Sequence, residues 1–339
     1  MNEFYNKRKF FEETEKVPSE IYYHYTSINS LYEIVKNKTF WLTSLQSSND
    51  KKELFYSPEA YLENLLALSR NEENAVKKVC LESVLESVNK NKKSFMNLCK
   101  KKDAYYSLCL STKKDNLTHW DRYGANCTGV CIGFNISSIK VMMQRQASEI
   151  FGENLVEVGG VIYDEKGRNN FIVSQIIHLL NKFAQKGNLK NSEMKKHIIT
   201  RGYIYAYVVY RYIKIFSKME FFVDEDEIRL CHANSAIKEA MDAMKSIKED
   251  LDAELFQNIN KNFAELVKML NIKKEEFYVS KSGIRGYKNL CLKDVWGSGV
   301  IPEIILGPMC QQNKKELKRF LYVNGLQGTK VSVSKVPIR

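Results

Sequence analysis

The sequence Ile21-Tyr22-Tyr23-His24-Tyr25-Thr26-Ser27-Ile28 changes from a strand pattern to a helix start. Aromatic and β-branched residues around His24 favour a strand over residues 21–25. Thr26 and Ser27 are residue types that cap a helix N-terminus, and the apolar spacing after them predicts a helix over residues 28–37. Polar side chains at such a junction commonly bind anionic or hydroxyl-rich ligands. Taken alone, however, His24 is explained more simply as a core or turn histidine.

The composition is that of a globular protein. The chain has 339 residues, of which 44% are hydrophobic and 27% charged. No apolar run reaches about 18 residues, which predicts no membrane span. The charged N-terminus lacks the apolar core of a signal peptide. We therefore expect a cytoplasmic protein.

The eight cysteines are scattered and contain no Cys-x-x-Cys pair. No histidine follows Cys127 and Cys131 at a spacing typical of zinc sites. We expect reduced, mostly buried thiols and no metal site.

The net charge of +12 comes from 52 Lys and Arg against 40 Asp and Glu. Such a balance can favour nucleic acid or another anionic surface. It can equally reflect a Lys-rich composition with solvated lysines. The sequence has no Arg-rich stripe and no recognisable DNA- or RNA-binding motif, so a dedicated nucleic-acid module is not supported.

The hydrophobic periodicity predicts one α+β domain over residues 1–339, with a central mixed or antiparallel sheet. Helical insertions are predicted at about 58–101 and 165–219, and with only 5 Pro and 16 Gly no linker divides the chain. Strands are predicted at 21–25, 39–44, 105–110, 129–134, 155–163, 225–231, 275–280, 286–293, 300–306 and 331–336. Helical patterns lie at 117–123, 135–148, 171–183, 192–219, 235–271 and 311–322, and residues 3–16 are predicted to be a charged helix or arm.

A second group of candidate residues follows the strand at 105–110. Ser111 could bind a ligand hydroxyl or phosphate. Trp120 and Tyr123 are spaced to pack on one face of a short helix, although either ring could also contact a ligand. His119 is expected to be exposed or to line a site.

A third group is the acidic segment from Phe222 to Leu230. Strand alternation would put Glu225, Glu227 and Arg229 on one face, opposite Ile228. That face is either a solvated surface with a Glu/Arg pair or a polar cleft. In a cleft, Arg229 would keep a carboxylate ionised, able to stabilise positive charge or accept a proton.

In this order and spacing the motifs resemble a bacterial family catalogued as domain of unknown function 2971. The motifs that carry the resemblance run over most of residues 20–322, and Ile228 departs from them because the family often has an aromatic residue there. They are His24-Tyr25-Thr26-Ser27, Phe40-Trp41-Leu42-Thr43-Ser44, Asn49-Asp50, Ser107 to Ser111, Trp120 to Gly124, Gly129 to Phe134, Lys218…Phe222…Glu225-x-Glu227-x-Arg229, and Ile301 to Pro308.

The opening strand, histidine and short helix also resemble ADP-ribosyltransferase folds, which have a split sheet. That resemblance implies NAD as a substrate, with His24 bonding the nicotinamide ribose. A ring from Tyr25, Tyr123 or Trp120 would stack on nicotinamide, and a carboxylate would stabilise the oxocarbenium-like sugar. The catalytic candidates are Glu227, His24 and Glu225, and the binding candidates are His24, Tyr25, Thr26, Ser27, Ser111, Trp120, Tyr123 and Arg229.

This kind of family suggests a toxin or anti-phage defence effector that modifies a nucleic acid or protein acceptor. Two other function classes remain open from the sequence. One is a non-catalytic nucleotide sensor or interaction module that uses the same polar strand ends. The other is a nucleic-acid-processing protein, suggested by the positive charge.

Overall fold

The computed structural model describes residues 21–47, 54, 56–100, 104–139, 156–187, 191–233, 275–280 and 283–337. The helix or arm predicted at 3–16, the helix predicted at 235–271, the Asn49-Asp50 turn and most of the helix predicted at 135–148 lie outside these residues. The strands are β1 (Ile21–Thr26), β2 (Thr39–Ser44), β3 (Tyr105–Ser111), β4 (Val130–Asn135), β5 (Val156–Gly160), β6 (Glu227–Ala233), β7 (Glu276–Ser280), β8 (Gly283–Cys291), β9 (Glu303–Leu306) and β10 (Lys330–Val333). The helices are α1 (Ile28–Asn37), α2 (Pro58–Asn71), α3 (Ala75–Lys90), α4 (Lys92–Lys100), α5 (Leu117–Arg122), α6 (Glu165–Gly187), α7 (Asn191–Phe216) and α8 (Lys314–Val323).

The strands form one mixed, largely antiparallel sheet, which confirms the predicted α+β class. Its main order is β10-β9-β4-β1-β3-β2-β8-β7, and β6 joins β3 to β5. Of the described strand pairs only β9 and β10 run parallel. The helices of the two predicted insertions are present, while the single domain and the split sheet of ADP-ribosyltransferases stay predictions.

Strand β3 is the junction that creates the site. One edge of β3 pairs with β6 from Tyr105 to Ser111. Its other edge is shared, because β1 pairs at Ser111 and β2 pairs at Tyr106 and Ser107. Strands β1 and β2 therefore separate along β3 and leave a gap between them.

Helix α1 fixes the direction in which the chain leaves β1. Ser27 is its N-cap and accepts a hydrogen bond from the backbone N–H of Ser30 at 3.1 Å. An N-cap of this kind contributes about 1 kcal/mol. The helix buries Leu31 and Val35 against the sheet and ends at Lys38, whose φ of 53° is left-handed.

The two faces of the sheet pack against different layers. One face buries alternate residues of β3 and β6, including Leu108, Leu110 and Leu230, in the main core. On the other face, Tyr105 and Cys231 pack against helices α2 to α4, α6 and α7. A separate cluster on that second face contains Tyr23, Tyr25, Trp120 and Cys131. The site lies between this cluster and the helical layer.

The acidic segment differs from the predicted strand. Strand β6 begins at Glu227, while Glu225 ends a 3-10 helix that starts at Glu220. Asp226 has a left-handed φ of 45° and turns the chain between the two structures. The strand alternation predicted for Glu225 therefore does not hold, although it does hold from Glu227 to Arg229.

Candidate functional site

A cavity of about 270 Å³ opens where β1 and β2 separate. Two larger grooves, of about 610 and 660 Å³, lie on the helical layer, but their ionisable side chains, such as Arg70 and Lys77, are exposed or only partly buried. Only the smaller cavity brings buried ionisable groups together among these three. Its lining residues are Tyr23, His24 and Tyr25 of β1, Thr43, Ser44 and Leu45 around the end of β2, Cys109, Leu110 and Ser111 of β3, and His119, Tyr123, Lys218, Glu225, Glu227 and Arg285.

His24 contacts the backbone of β3 beside the gap. Its Nδ1 lies 3.1 Å from the carbonyl oxygen of Cys109, and its ring packs edge-on against Phe40 at 5.7 Å between centroids. A carbonyl only accepts, so Nδ1 carries the proton. Burial lowers the pKa of His24, which favours the neutral ring. Nε2 is then an acceptor that a ligand hydroxyl could use.

Glu227 is held by two cations. Arg229 donates from Nε to Oε1 at 2.8 Å and from Nη2 to Oε2 at 3.1 Å, and Lys218 donates to Oε2 at 3.2 Å. The Glu227 side chain is 5% exposed and that of Arg229 is fully buried. Burial raises the pKa of Glu227, but the charges of Arg229 and Lys218 outweigh it and hold the pKa at about 2. Glu227 is therefore ionised at neutral pH.

Glu225 shares a cation with Glu227. Lys218 donates to Glu225 Oε2 at 2.5 Å, and the hydroxyl of Tyr123 donates to Oε1 at 2.5 Å. With Arg229 the cluster holds two positive and two negative charges. This balance allows all four side chains to be buried without a net charge.

Ser111 and His119 position the turn that carries Glu225. The backbone carbonyl of Glu225 accepts from the Ser111 hydroxyl at 2.8 Å and lies 3.1 Å from His119 Nε2. His119 lines the cavity but is 4% exposed, so the exposed position allowed by the sequence is wrong. Ser111 lines the cavity, and its hydroxyl also accepts from the backbone N–H of Lys113 at 3.1 Å, so its predicted ligand contact stays a prediction.

Tyr25 lines the cavity beside this turn, and Trp120 packs behind it. The hydroxyl of Tyr25 donates to the Lys113 carbonyl at 2.9 Å and accepts from Asn116 N at 2.9 Å. The Trp120 ring packs edge-on against Tyr25 at 4.9 Å, and its Nε1 donates to Asp115 at 2.8 Å. Because Trp120 is fully buried, it supports Tyr25 rather than facing the cavity, contrary to its predicted role as a stacking ring.

Thr26 and Ser27 lie at the end of β1 and beyond the cavity. Thr26 pairs with Val130 in the ladder between β1 and β4. Ser27 caps α1, which is the structural role that its sequence context suggested. Neither residue lines the cavity, so their predicted ligand-binding role has no support from position. Arg229 acts beneath Glu227 rather than in the lining.

Several lining residues were not candidates from the sequence. Lys218 belonged to the motif that contains Glu225 and Glu227, and a lysine shortly before these acids could have indicated an ion pair. Thr43 and Ser44 also lay in a quoted motif without an assigned role. Cys109 likewise lay in the motif from Ser107 to Ser111 without an assigned role. Arg285 gave no signal, because it reaches the cavity only through the pairing of β8 with β2.

The arrangement can bind a polar ligand between two kinds of wall. Toward β1 and β2 the side chains are neutral donors and acceptors, and toward β6 they are fixed carboxylates. The register places Tyr23, Ser111 and Glu227 in one row across three strands. Two strand spacings amount to about 10 Å, so one ligand could contact both walls.

Among the described residues, no group of three or more His, Cys, Asp or Glu side chains is placed to hold a metal ion. In the same part of the chain, no helix is both long and apolar enough to cross a membrane.

Residues 119–230 match the family described as "Protein of unknown function (DUF2971)". Over these residues the match supports the family predicted from the motifs. The matched segment contains Tyr123, Lys218 and both acids of the site, and it begins after β1 and His24. No curated protein and no solved structure gave a match.

Proposed function

We propose that the cavity binds NAD or a related nucleotide and transfers its ADP-ribose, as in ADP-ribosyltransferase-like enzymes. The observation that carries the proposal is that His24 and Glu227 line one cavity at the β1–β3–β6 junction. About 200 residues separate them in the sequence, yet both line this cavity, where the register aligns Tyr23, the neighbour of His24, with Ser111 and Glu227.

The position of His24 suits recognition of a ribose hydroxyl. Its Nδ1 is occupied by the Cys109 carbonyl, which fixes the ring orientation. The lowered pKa keeps the ring neutral, so that Nε2 accepts a hydrogen bond from the ligand.

The carboxylate of Glu227 suits stabilisation of a positively charged sugar. In the proposed reaction the bond between ribose C1′ and the nicotinamide nitrogen breaks, and nicotinamide leaves with the electron pair. The acceptor then bonds to C1′ and releases its proton to solvent. A carboxylate already ionised and held by Arg229 needs no reorganisation as the charge develops.

Tyr123 is the ring best placed to stack on nicotinamide. It lines the cavity and is 37% exposed, whereas Tyr25 has its hydroxyl bonded on both sides and Trp120 is buried. Tyr123 also contacts the carboxylates of the site, because its hydroxyl donates a hydrogen bond to Glu225.

The same cluster supports a second candidate function, a nucleotide sensor without catalysis. Each oxygen of Glu225 and Glu227 already accepts from a protein donor. A carboxylate neutralised in this way would bind a ligand hydroxyl but stabilise a developing cation less effectively.

Release of nicotinamide from NAD by the purified protein separates these functions. An enzyme should release nicotinamide, and Glu227→Gln should reduce the rate by at least about tenfold while NAD still binds. A sensor should bind NAD without turnover, and the same substitution should change only the affinity. Circular dichroism and urea unfolding of each variant provide the folding control. If the folded protein neither binds nor consumes NAD, the proposal fails.

A further inference from the structure

The sheet face beside the cavity carries three aromatic residues that the proposed reaction does not use. We call Trp41, Tyr278 and Tyr287 the aromatic shelf. The ring of Trp41 lies 4.2 Å from that of Tyr287 and 5.1 Å from that of Tyr278, between centroids. Trp41 is nevertheless 41% exposed, so part of its ring is available to a ligand.

The shelf is held in place by its neighbours. Tyr287 packs edge-on against Tyr278 at 5.7 Å and is 8% exposed. Its hydroxyl donates to Glu276 at 2.8 Å, and Asn289 donates to the other oxygen of Glu276 at 3.0 Å. A ring fixed in this way loses little conformational freedom when a ligand binds.

The shelf continues into the cavity. Trp41 precedes Thr43 by two residues on β2, so both side chains lie on the same sheet face. Arg285 lies opposite Tyr278 in the β7–β8 ladder and lines the cavity. Trp41 pairs with Asn289, which is four residues and roughly 13 Å from Arg285 along β8, and the Trp41 ring extends toward Arg285 onto Tyr287 and Tyr278. A planar group on Trp41 could therefore be joined to an anion that contacts Arg285.

This combination favours nucleic acid. A partly exposed ring on a sheet, next to a cation, is the arrangement by which proteins stack bases of single strands and hold the adjoining phosphate. The net charge of +12 would help to attract a polyanion.

We propose that the aromatic shelf binds a base of a single-stranded nucleic acid whose backbone phosphate contacts Arg285. The inference builds on the proposed function, because a strand bound there would extend toward the cavity as the acceptor of ADP-ribose. Binding of the strand itself requires neither NAD nor catalysis, so it can be measured separately.

The test is fluorescence anisotropy with labelled single-stranded RNA and DNA of about 10 nucleotides, a length within the known site sizes of such grooves. Base stacking on an aromatic ring contributes enough that Trp41→Ala should weaken binding roughly tenfold, and Trp41→Phe less. Arg285→Gln should reduce the slope of log affinity against log salt concentration by the amount expected for about one phosphate contact.

Phe277→Ala is the matched control. Phe277 is 65% exposed and lies on the same hairpin but on the opposite sheet face from Tyr278. Its loss should leave binding unchanged, and urea unfolding checks that each variant is folded.

The inference is overturned if neither oligonucleotide binds, or if Trp41→Ala and Phe277→Ala bind as tightly as the wild type. Release of nicotinamide without any oligonucleotide, measured on the same samples, distinguishes the two proposals. That rate should be unaffected by Trp41→Ala, because Trp41 lies outside the cavity lining.

Discussion

The two walls of the cavity differ in charge, burial and the work they do for the fold. The neutral wall consists of His24, Thr43 and Ser44, which are all partly exposed. The acid wall consists of Glu225 and Glu227 with their cations Lys218 and Arg229, and its side chains are at most 9% exposed. The neutral wall needs few protein partners, whereas each charge of the acid wall depends on another.

This difference separates folding from function. A buried charge that loses its partner destabilises the protein strongly, while a partly exposed neutral group can be hydrated instead. Substitutions in the acid wall should therefore lower stability first. Those in the neutral wall should change ligand binding with little effect on the fold.

The largest effect is expected for Arg229→Met. The substitution leaves the Glu227 carboxylate buried without its two-point partner, and we expect a loss of about 3–5 kcal/mol in the free energy of unfolding. Urea denaturation would measure it. The matched control is Lys90→Met, which breaks the exposed Lys90–Glu86 pair at 2.8 Å and should cost well under about 1 kcal/mol. Similar losses in the two variants would contradict the dependence of the acid wall on its buried ion pairs.

Acid should weaken the acid wall selectively. The pKa of Glu227 falls from 4.5 to about 2 on folding, so the unfolded chain binds more protons than the native protein between these values. The contribution of the ionised Glu227 to the free energy of unfolding is fully present above about pH 4.5 and is lost as the pH falls through 2. Linkage gives about 3 kcal/mol for this group. Denaturation across this range should show a shallower decline for Glu227→Gln than for the wild type, and equal slopes would refute the role of Glu227.

A smaller effect is expected for Tyr123→Phe, which keeps the ring but removes the donor to Glu225. Because Tyr123 is 37% exposed, water can replace the hydroxyl, and the loss of unfolding free energy should be about 1 kcal/mol or less. Tyr322→Phe, at a residue 69% exposed on α8, is a control that should show no change. A loss above about 2 kcal/mol in the free energy of unfolding would contradict this expectation and show that the fold depends on the Tyr123 hydroxyl as it does on the buried charges.

Local patterns predicted much of the fold. Helix α1 and strand β2 have the predicted bounds, because a polar cap and an alternating aromatic strand are signals contained in adjacent residues. The prediction was wrong at Glu225, because the left-handed turn at Asp226 interrupts an alternation that looks continuous in the sequence.

The site was partly predictable for the same physical reason. His24 stood out at a strand end before a helix cap, and Glu227 on a strand beside Arg229, although both also had simpler structural interpretations. Their catalytic roles came only from the resemblance to ADP-ribosyltransferase folds and stay predictions. The burial of Trp120 was not readable from the sequence, since it depends on packing against Tyr25 and on the bond to Asp115. Arg285 could not be found either, because its place follows from the pairing of distant strands.

The most direct test of the site is calorimetric titration of NAD into the wild type, His24→Gln and Tyr32→Ala. His24→Gln retains a side-chain donor for the Cys109 carbonyl but replaces the ring-fixed Nε2 acceptor with the amide oxygen of a flexible side chain, and Tyr32 is 44% exposed on α1 and outside the cavity lining. We expect saturable binding to the wild type and Tyr32→Ala, and at least about tenfold weaker binding to His24→Gln with unchanged unfolding. Equal affinity for all three proteins would contradict a ligand site at this cavity.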